Sequence, residues 1–299
     1  MNIDVSIIIV NYNTVFDTLK CIESIYKFSG NLHLEVIVID NNSSDNSSEI
    51  IKNEYSEVKL ISNPENIGFG RANNLGIAQA KGKYLFFLNS DTILLNDAIR
   101  IFFDYMEQYN TKGDIGAIGC IMFDKNMRLN FRNSYYIFPG ASILYRNLCR
   151  KLLKISRDYS VDHNKLIKEG KLSIDFIVGA DLFVPKKVLD SVGVFDPRFF
   201  LYWEEVDLQY RMHKMNMKRL IIDGPQIIHF EGGSTRNNVK NWQRIMDAES
   251  LIKYIRKHKS IFSVMLLRFY FFIGILLSFK EKTYTLREQM IFCKTIIIT

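Results

Sequence analysis

Residues 83–92, KYLFFLNSDT, run from an aromatic and aliphatic stretch straight into three polar residues. Tyr84 to Leu88 are short, continuous and apolar, the pattern of a strand buried on both faces. Asn89, Ser90 and Asp91 then end it. Such residues stop strands by bonding their own backbone, so the triplet alone is a turn signal. A carboxylate placed where a core strand surfaces also suits a ligand, and the surrounding chain has to decide between the two.

Working outward, the same arrangement recurs. VSIIIV (5–10), LEVIVI (34–39), VKLI (58–61) and IGAIG (115–119) are further short apolar runs rich in β-branched residues. Helical patterns separate them. Leu19, Ile22, Ile25 and Tyr26 share one face over 15–27; Asp45 suits the cap of a helix over 47–53; 69–80 forms another, ended by Gly82; and Asn96 suits the cap of one over 97–109. Strand–helix alternation predicts a mostly parallel sheet with helices on both faces. Sheets of that kind bind ligands at the carboxyl ends of their strands. Here three of those ends are polar: Asn11-Tyr12-Asn13, Asp40 to Asp45, and Asn89-Ser90-Asp91. Three on one edge favour a pocket over three unrelated turns.

The second half reads differently. Residues 125–172 lack a clear period and are expected to form a variable lobe or insertion. Beyond it, IDFIVGADLFVPKKVLDSVGVFD predicts a strand, a turn at Gly179-Ala180 and a short helix from Pro185. FFLYWEEVDLQYRMHKM places Glu204, Glu205 and Asp207 in the first turn of a helix, where the macrodipole favours acids and capping alone would explain them. RLIIDGPQIIHFEGGSTR predicts strand, turn and strand, with His229 at a strand end; a lone histidine there is either structural or a ligand.

Composition narrows the class. With 299 residues, 47% hydrophobic and 24% charged, the chain is globular, with room for one large or two modest domains. Cys21, Cys120, Cys149 and Cys293 are far apart, which argues against a disulfide framework or a zinc knot. The start, MNIDVSIIIV, lacks the basic region of a signal peptide, so a reducing cytoplasmic setting is expected. The net charge of +7 is concentrated: 146–171 hold eight Lys/Arg against three acids, and 236–259 seven against two. A solvated basic face is the default. Nucleic-acid binding is not expected, because no recognition motif accompanies the charge. An anionic membrane is the remaining option, favoured by residues 261–279, which hold fifteen apolar residues and one charge, Arg268. Nineteen helical residues reach about 28 Å, barely a span, and Arg268 at mid-bilayer would cost roughly 3 kcal/mol. A helix lying in the interface on the inner face of the cell membrane avoids that cost; the alternative is a helix packed on the catalytic domain.

Taken in order, VSIIIVNYN, EVIVIDNNSSD, NPENIGFGRANNLGI, YLFFLNSDT, FIVGADLFVPK, FDPRFFLYWEEVDL and HFEGGST resemble the family 2 glycosyltransferases of GT-A fold, most closely the bacterial rhamnosyltransferase-like branch, over about residues 3–258. The resemblance implies an α/β nucleotide-diphospho-sugar transferase fold. Residues 1–258 would form the GT-A domain, with a nucleotide-sugar half over 1–120 and an acceptor and catalytic half over 121–258. A C-terminal membrane-associated helical segment would follow over 259–299. It implies an inverting, metal-dependent transfer from dTDP-rhamnose or a UDP-sugar to a saccharide or lipid-linked acceptor, in cell-surface polysaccharide synthesis. By the same resemblance Asp91 and His229 hold Mg²⁺ or Mn²⁺, Asn89 standing where the family has the first aspartate of Asp-x-Asp. Asp40 accepts from the base N3–H, Tyr12 stacks on the base, and Val10 and Ser90 line the donor pocket with Asp91. Arg71 or Asn74 reaches the phosphates or donor sugar. Glu205 is the general base, with Asp207 the runner-up, and Glu204 and Trp203 face the acceptor. The rival classes are a non-catalytic nucleotide-sugar-binding relative, favoured by Asn89, and a sugar nucleotidyltransferase, which would need a Gly-rich basic loop absent after the first strand.

Overall fold

The computed structural model describes residues 2–129, 134–135, 163–230, 240–281 and 285–299. Strands β1 (Val5–Asn11), β2 (Leu34–Asp40), β3 (Lys59–Ser62) and β4 (Tyr84–Asn89) form on the apolar runs, and helices α1 (Val15–Lys27), α2 (Ser47–Glu54) and α3 (Phe69–Gln79) connect them. All four strands run parallel, in the order β3-β2-β1-β4. After β4 come β5 (Thr92–Leu94), α4 (Ala98–Tyr109) and β6 (Ile115–Gly119).

The sheet continues with strands from the second half. Between 125 and 172 the described pieces are β7 (Ser134–Tyr135), α5 (His163–Glu169) and the start of β8 (Lys171–Ser173). Residues 130–133 and 136–162, with most of the 146–171 basic cluster and Cys149, lie outside the described residues, as do 231–239, which include the EGGST after Phe230. β9 (Phe176–Ile177), β10 (Asp181–Pro185), α6 (Lys186–Val192), α7 (Glu204–Lys214), β11 (Lys218–Ile222) and β12 (Ile227–His229) follow. The complete order is β3-β2-β1-β4-β10-β6-β11-β8, a mostly parallel sheet in which β10 runs antiparallel between β4 and β6 and β8 antiparallel to β11.

Two cores cover its faces. Alternate residues of β1, Ile7 and Ile9, pack with α1 and α4 side chains such as Ile22, Ile25, Ile99 and Phe102. Ile8 and Val10 face the other way, against Ala72 and Ile77 of α3 and Leu208 and Met212 of α7. Period-2 alternation inside a continuous apolar run is what a strand covered on both faces requires.

Three expectations need correcting. Asn96 does not cap α4. Its amide instead donates to the Gly224 carbonyl (2.8 Å) and its oxygen accepts from the Gln226 N–H (3.0 Å), tying the turn between β11 and β12 to the loop before α4. Gly82 does not end α3: Ala80 is already extended, and the Gly82 N–H donates to Ser6 Oγ at 2.7 Å. The basic cluster over 236–259 is not simply a solvated face. Lys253 and Lys257 bind partners within the protein, Arg256 reaches the Thr299 carbonyl, and His258 bonds Asp207.

The chain ends in three helices, α8 (Lys240–His258), α9 (Ile261–Glu281) and α10 (Leu286–Ile298). They share a third core: Ile252, Ile255, Val264, Leu267, Ile275, Phe292 and Ile296 bury together with Phe199 before α7 and Val206 on it. Among the described residues no helix is long and apolar enough to cross a membrane. Val264, Leu267 and Ile275 form the buried stripe of α9, whereas Ile261, Phe262, Met265, Leu266, Phe269 and Phe272 are exposed on its other side. Arg268 donates to the Ile297 carbonyl of α10.

α3 lies unusually close to the sheet at Gly76, where an added Cβ would stand 2.5 Å from Ile8 Cγ2 and 3.0 Å from Ile39 Cδ1. Neither branched side chain can retreat within a close-packed core. Gly76→Val should therefore destabilise the protein by about 1–3 kcal/mol, seen as a lower urea midpoint at unchanged slope. An unchanged midpoint would mean that α3 does not rest on β1 and β2 through this glycine.

Candidate active site

The parallel register sets Asn11 opposite Asp40 and Val10 opposite Asn89, so three strand ends reach one height. Asp40 is buried there. Its Oδ1 accepts from Asn11 Nδ2 (2.8 Å) and Ser43 Oγ (2.5 Å), and its Oδ2 from Ser48 Oγ (2.7 Å). These hydroxyl and amide donors fix the carboxylate at the tip of β2. Val10 closes the floor beside it, Tyr12 follows half-buried, and the Ser90 hydroxyl shares a hydrogen bond with Thr14 Oγ1 (3.1 Å).

Arg71 and Asn74 are engaged elsewhere. Arg71 Nε donates to the Pro197 carbonyl (2.7 Å). Asn74 donates to the Phe195 carbonyl (2.8 Å) and accepts from the Phe195 N–H (3.0 Å), which uses both ends of its amide. Both contacts brace the loop before α7; the Asn74 amide is fully used by them, whereas Arg71 stays exposed with only its Nε engaged.

β5, a three-residue strand with no signal in the sequence, brings the other site half in. It pairs antiparallel with β12 and sets His229 opposite Thr92. The buried His229 Nε2 then lies 3.2 Å from Asp91 Oδ1 and 3.3 Å from Asn89 Nδ2. Protonated, the ring nitrogen donates to Asp91; unprotonated, it and the Asp91 carboxylate both offer lone pairs to the space between them. A cation between Asp91 and His229 uses both lone pairs, so the residues fit a divalent ion. Two protein ligands leave most of its coordination sphere to phosphate oxygens and water. Among the described residues no group of three His, Cys, Asp or Glu side chains forms a closed metal site.

Across the cleft, the loop over 195–203 leads into α7. Tyr202 (φ 68°) and Trp203 (φ 72°) are both left-handed, a conformation that costs bulky residues about 1–3 kcal/mol each. Phe69 N–H of α3 donates to the Phe200 carbonyl at 2.8 Å, and Gly68 (φ 86°) is pressed so close that a Cβ there would collide with the Phe200 oxygen. Only glycine fits that crossing.

The three acids of α7 meet different surroundings. Glu204 is buried against Gly70 of α3, and its Oε2 has no hydrogen-bond partner; burial and the neighbouring Glu205 push its carboxyl well above the usual range. Glu205 is half-buried beside Gly179, and its pKa is pushed up to about 7, by burial first and then by the charge of Asp247, against its backbone hydrogen bonds. Asp207 is fully buried. Burial opposes its ionised form, but His258 (2.6 Å), Lys257 (2.7 Å) and Arg211 (2.9 Å) outweigh that and hold its carboxyl below the usual range. Trp203 donates its indole N–H to Asp247 Oδ1 (2.8 Å) and packs on Tyr254, centroids 5.4 Å apart, so part of its ring belongs to the third core.

Sequence reasoning missed the part played by α8. From its far end toward the cleft, Lys257 reaches Asp196 (2.6 Å), Lys253 the Arg198 carbonyl (3.0 Å), Ser250 the Leu201 carbonyl (2.8 Å) and Asp247 the Trp203 indole. Positions 247, 250, 253 and 257 repeat every three to four residues, the spacing of one helix face. That spacing is visible in the sequence, but its partners, 44 to 61 residues earlier, are not.

Comparison with known proteins accords with this geometry. The sequence model of glycosyl transferase family 2 matches residues 6–172, more than half of the chain, and the chain belongs to that family. Rhamnosyltransferase WbbL of Escherichia coli is 26% identical over 215 residues, 69% of this chain and 76% of its own length. O-antigen biosynthesis protein RfbC of Myxococcus xanthus is 21% identical over 219 residues, 68% of this chain but 15% of its own. An uncharacterized glycosyltransferase of Haemophilus influenzae is 37% identical over 93 residues, 30% of this chain and 35% of its own. Among solved structures, GalNAc-T7 with UDP, GalNAc and Mn²⁺ superposes with a TM-score of 0.58 at 14% identity, over 85% of this chain and 48% of that one. The fold is GT-A.

Binding of Mn²⁺ by the purified protein in the presence of a nucleoside diphosphate can be followed by electron paramagnetic resonance. Asp91→Ala should abolish it. His229→Ala should weaken it by at least the 10–100-fold typical of outer-shell losses, with recovery at excess metal. Asn89→Asp should tighten it by adding a charge. Unaltered binding in Asp91→Ala would remove the cation from this site.

Proposed function

We propose that this family 2 glycosyltransferase moves a sugar, with inversion, from a nucleoside-diphosphate donor to a saccharide or lipid-linked acceptor, in the synthesis of a bacterial surface polysaccharide. The observation that carries this is a set of three chemistries around one cleft: the fixed Asp40 carboxylate and the Asp91–His229 pair at the sheet edge, and the raised carboxyl of Glu205 beside the Gly179 turn. Asp40 accepts from a base N3–H, which uracil and thymine share, so both UDP-sugars and dTDP-rhamnose fit. The E. coli relative named a rhamnosyltransferase favours the second, and the UDP of the GalNAc-T7 structure the first.

Asp91 and His229 would hold Mg²⁺ or Mn²⁺, which when bound supplies positive charge against the leaving diphosphate. The remaining work falls to α7. Burial and the neighbouring Glu205 outweigh the backbone hydrogen bonds to Glu204, which keeps its proton and lets Glu205 ionise beside it. Glu205 takes the acceptor hydroxyl's proton as the new bond forms. Its pKa near 7 suits a base at working pH, because a base is most effective when its pKa lies close to that pH. Asp207, ion-paired and held below the usual range, is too weak a base and serves to anchor the helix.

The C-terminal helices extend the reading to a membrane surface. α9 exposes Ile261, Phe262, Met265, Phe269 and Phe272, and α10 exposes Leu286, Met290, Ile297 and Ile298. Arg287 and Lys294 share the exposed face of α10 at helical spacing, where they suit anionic headgroups. Because much of the α8 cluster is spent internally, attachment should be chiefly apolar. In vesicle flotation the protein should bind phosphatidylcholine with added phosphatidylglycerol and lose only part of that binding at high salt. Phe262→Asp with Phe269→Asp should release it; full binding by that double variant would assign attachment to another surface.

Screening UDP-, dTDP- and GDP-sugars for metal-dependent donor hydrolysis tests the class and the donor together, and no hydrolysis of any would defeat it. The base is tested by Glu205→Gln, which keeps shape but cannot take a proton. Turnover should fall about 10²–10⁴-fold, with nucleoside-diphosphate affinity by calorimetry near normal. In the wild type, the rate should rise with pH through about 7, since Glu205 acts only when ionised. More than about a tenth of wild-type turnover in the variant would move the role to another residue.

A further inference from the structure

α8 meets the catalytic loop at four points of one helix face, and they are not equivalent. Lys257, Lys253 and Ser250 grip an acid or main-chain carbonyls between Asp196 and Leu201, ahead of the acid pair. Asp247 instead holds Trp203, the residue immediately before α7, by its indole N–H. Tyr202 and Trp203 are consecutive left-handed residues with large side chains, which persist only where surrounding contacts over-determine them. The indole bond to Asp247 and the packing on Tyr254 are those contacts at Trp203. Losing the bond frees Trp203 to return to an ordinary conformation. The first turn of α7, which carries Glu205, would then turn with it.

We propose that Asp247 is a positioning residue for Glu205: by holding the Trp203 indole it fixes the left-handed turn that starts α7 and aims the base at the acceptor. This rests on the assignment of Glu205 as base. Asp247 also acts through its charge. The groups around Glu205 are Glu204 on its own helix, Tyr202 before it and Asp247 on α8; the turn packed against it presents Gly179, which is neutral. Asp247 is the acid from outside α7 that favours the protonated form of Glu205.

Anchoring and charge separate in one substitution. In Asp247→Asn the side-chain oxygen still accepts from the indole but the charge is gone; in Asp247→Ala both are lost. Rates against pH, acceptor KM and nucleoside-diphosphate affinity are measured on the full chain, with folding checked by thermal unfolding. Asp247→Ala should lower kcat roughly 10–100-fold, the scale of a misplaced catalytic group, at unchanged nucleotide affinity. Asp247→Asn should recover most of kcat and move the acid limb of the rate profile to lower pH, because removing a negative neighbour lowers the pKa of Glu205. In a Trp242→Phe background, Trp203 is the sole tryptophan, and its emission should change in Asp247→Ala but not in Asp247→Asn.

The inference is overturned if Asp247→Ala keeps full kcat. It is also overturned if Asp247→Asn is as impaired as Asp247→Ala with the acid limb unmoved, or if acceptor KM alone rises, which would make Asp247 a substrate contact. Glu205→Gln run alongside separates the two failures. An active Glu205→Gln defeats the base assignment itself. An inactive one with silent Asp247 variants defeats only the positioning role.

Discussion

β1 is hydrogen-bonded on both sides, to β2 and to β4, and the cleft depends on that double register. Ile7 and Ile9 fill one core while Ile8 and Val10 fill the other, so a slip of one residue would exchange every side chain between two differently shaped cores. Packing therefore forbids the slip. With the register held, Asp40 and Asn89 arrive at one height without any local signal to bring them there. Polar residues sit where the apolar runs end because only at the carboxyl edge does the backbone leave both cores together. The pocket is in this sense a by-product of burying the strands on both faces.

The other side of the cleft has no such strand to rest on. A loop with two strained residues would not hold a base in place unaided. Its support comes from α8, through the four-point contact and through the buried Asp207, where a helix-seven carboxylate meets Lys257 and His258 at the end of α8. A buried ion pair is weak evidence for stability, since desolvation offsets much of its attraction. Breaking it on one side, however, leaves an uncompensated charge, so the arrangement of α7 on α8 is specified more sharply than apolar packing alone would specify it. By this route α8 supports the loop and helix that carry Glu204 and Glu205, although it stands beyond the family's matched segment.

The first half of the fold was legible because parallel strands covered on both faces write continuous apolar runs, and each observed strand from β1 to β4 lies within a residue or two of its run. β12 stands where the sequence placed a strand ending at His229, but β5 was harder: three residues, held by pairing with β12, with no period long enough to register. Asn96 carried a real polar signal, but a distant turn took its hydrogen bonds in place of the adjacent helix. Asp91 and His229 were named from motif order; that their side chains meet depends on the pairing of Thr92 with His229, which no local pattern contains. For residues 261–279 the sequence left an interfacial helix and a packed helix as alternatives. The structure packs one stripe of α9 and exposes the other, because both sides of that helix are apolar.

Glu204, Glu205 and Asp207 show why residue type alone could not assign the chemistry. All three occupy the first turn of one helix, where the macrodipole favours their charge equally in kind. Their differences come from outside the helix. Glu204 is driven against Gly70, its Oε2 finds no donor among the described residues, and burial makes it most stable protonated. Asp207 is buried as deeply but is bonded by Arg211, Lys257 and His258, so it is most stable ionised and binds protons poorly. Glu205 has neither the complete burial of the first nor the cations of the second. It sits between them with an acid neighbour on α8, and its affinity for a proton lands near neutrality. A base must hold its proton loosely enough to be free before the reaction and tightly enough to take one during it. Of three adjacent acids, only the one left without a strong partner, yet crowded by protein, meets both conditions, and that balance is set by residues from α3, α8 and the Gly179 turn rather than by the acidic motif itself.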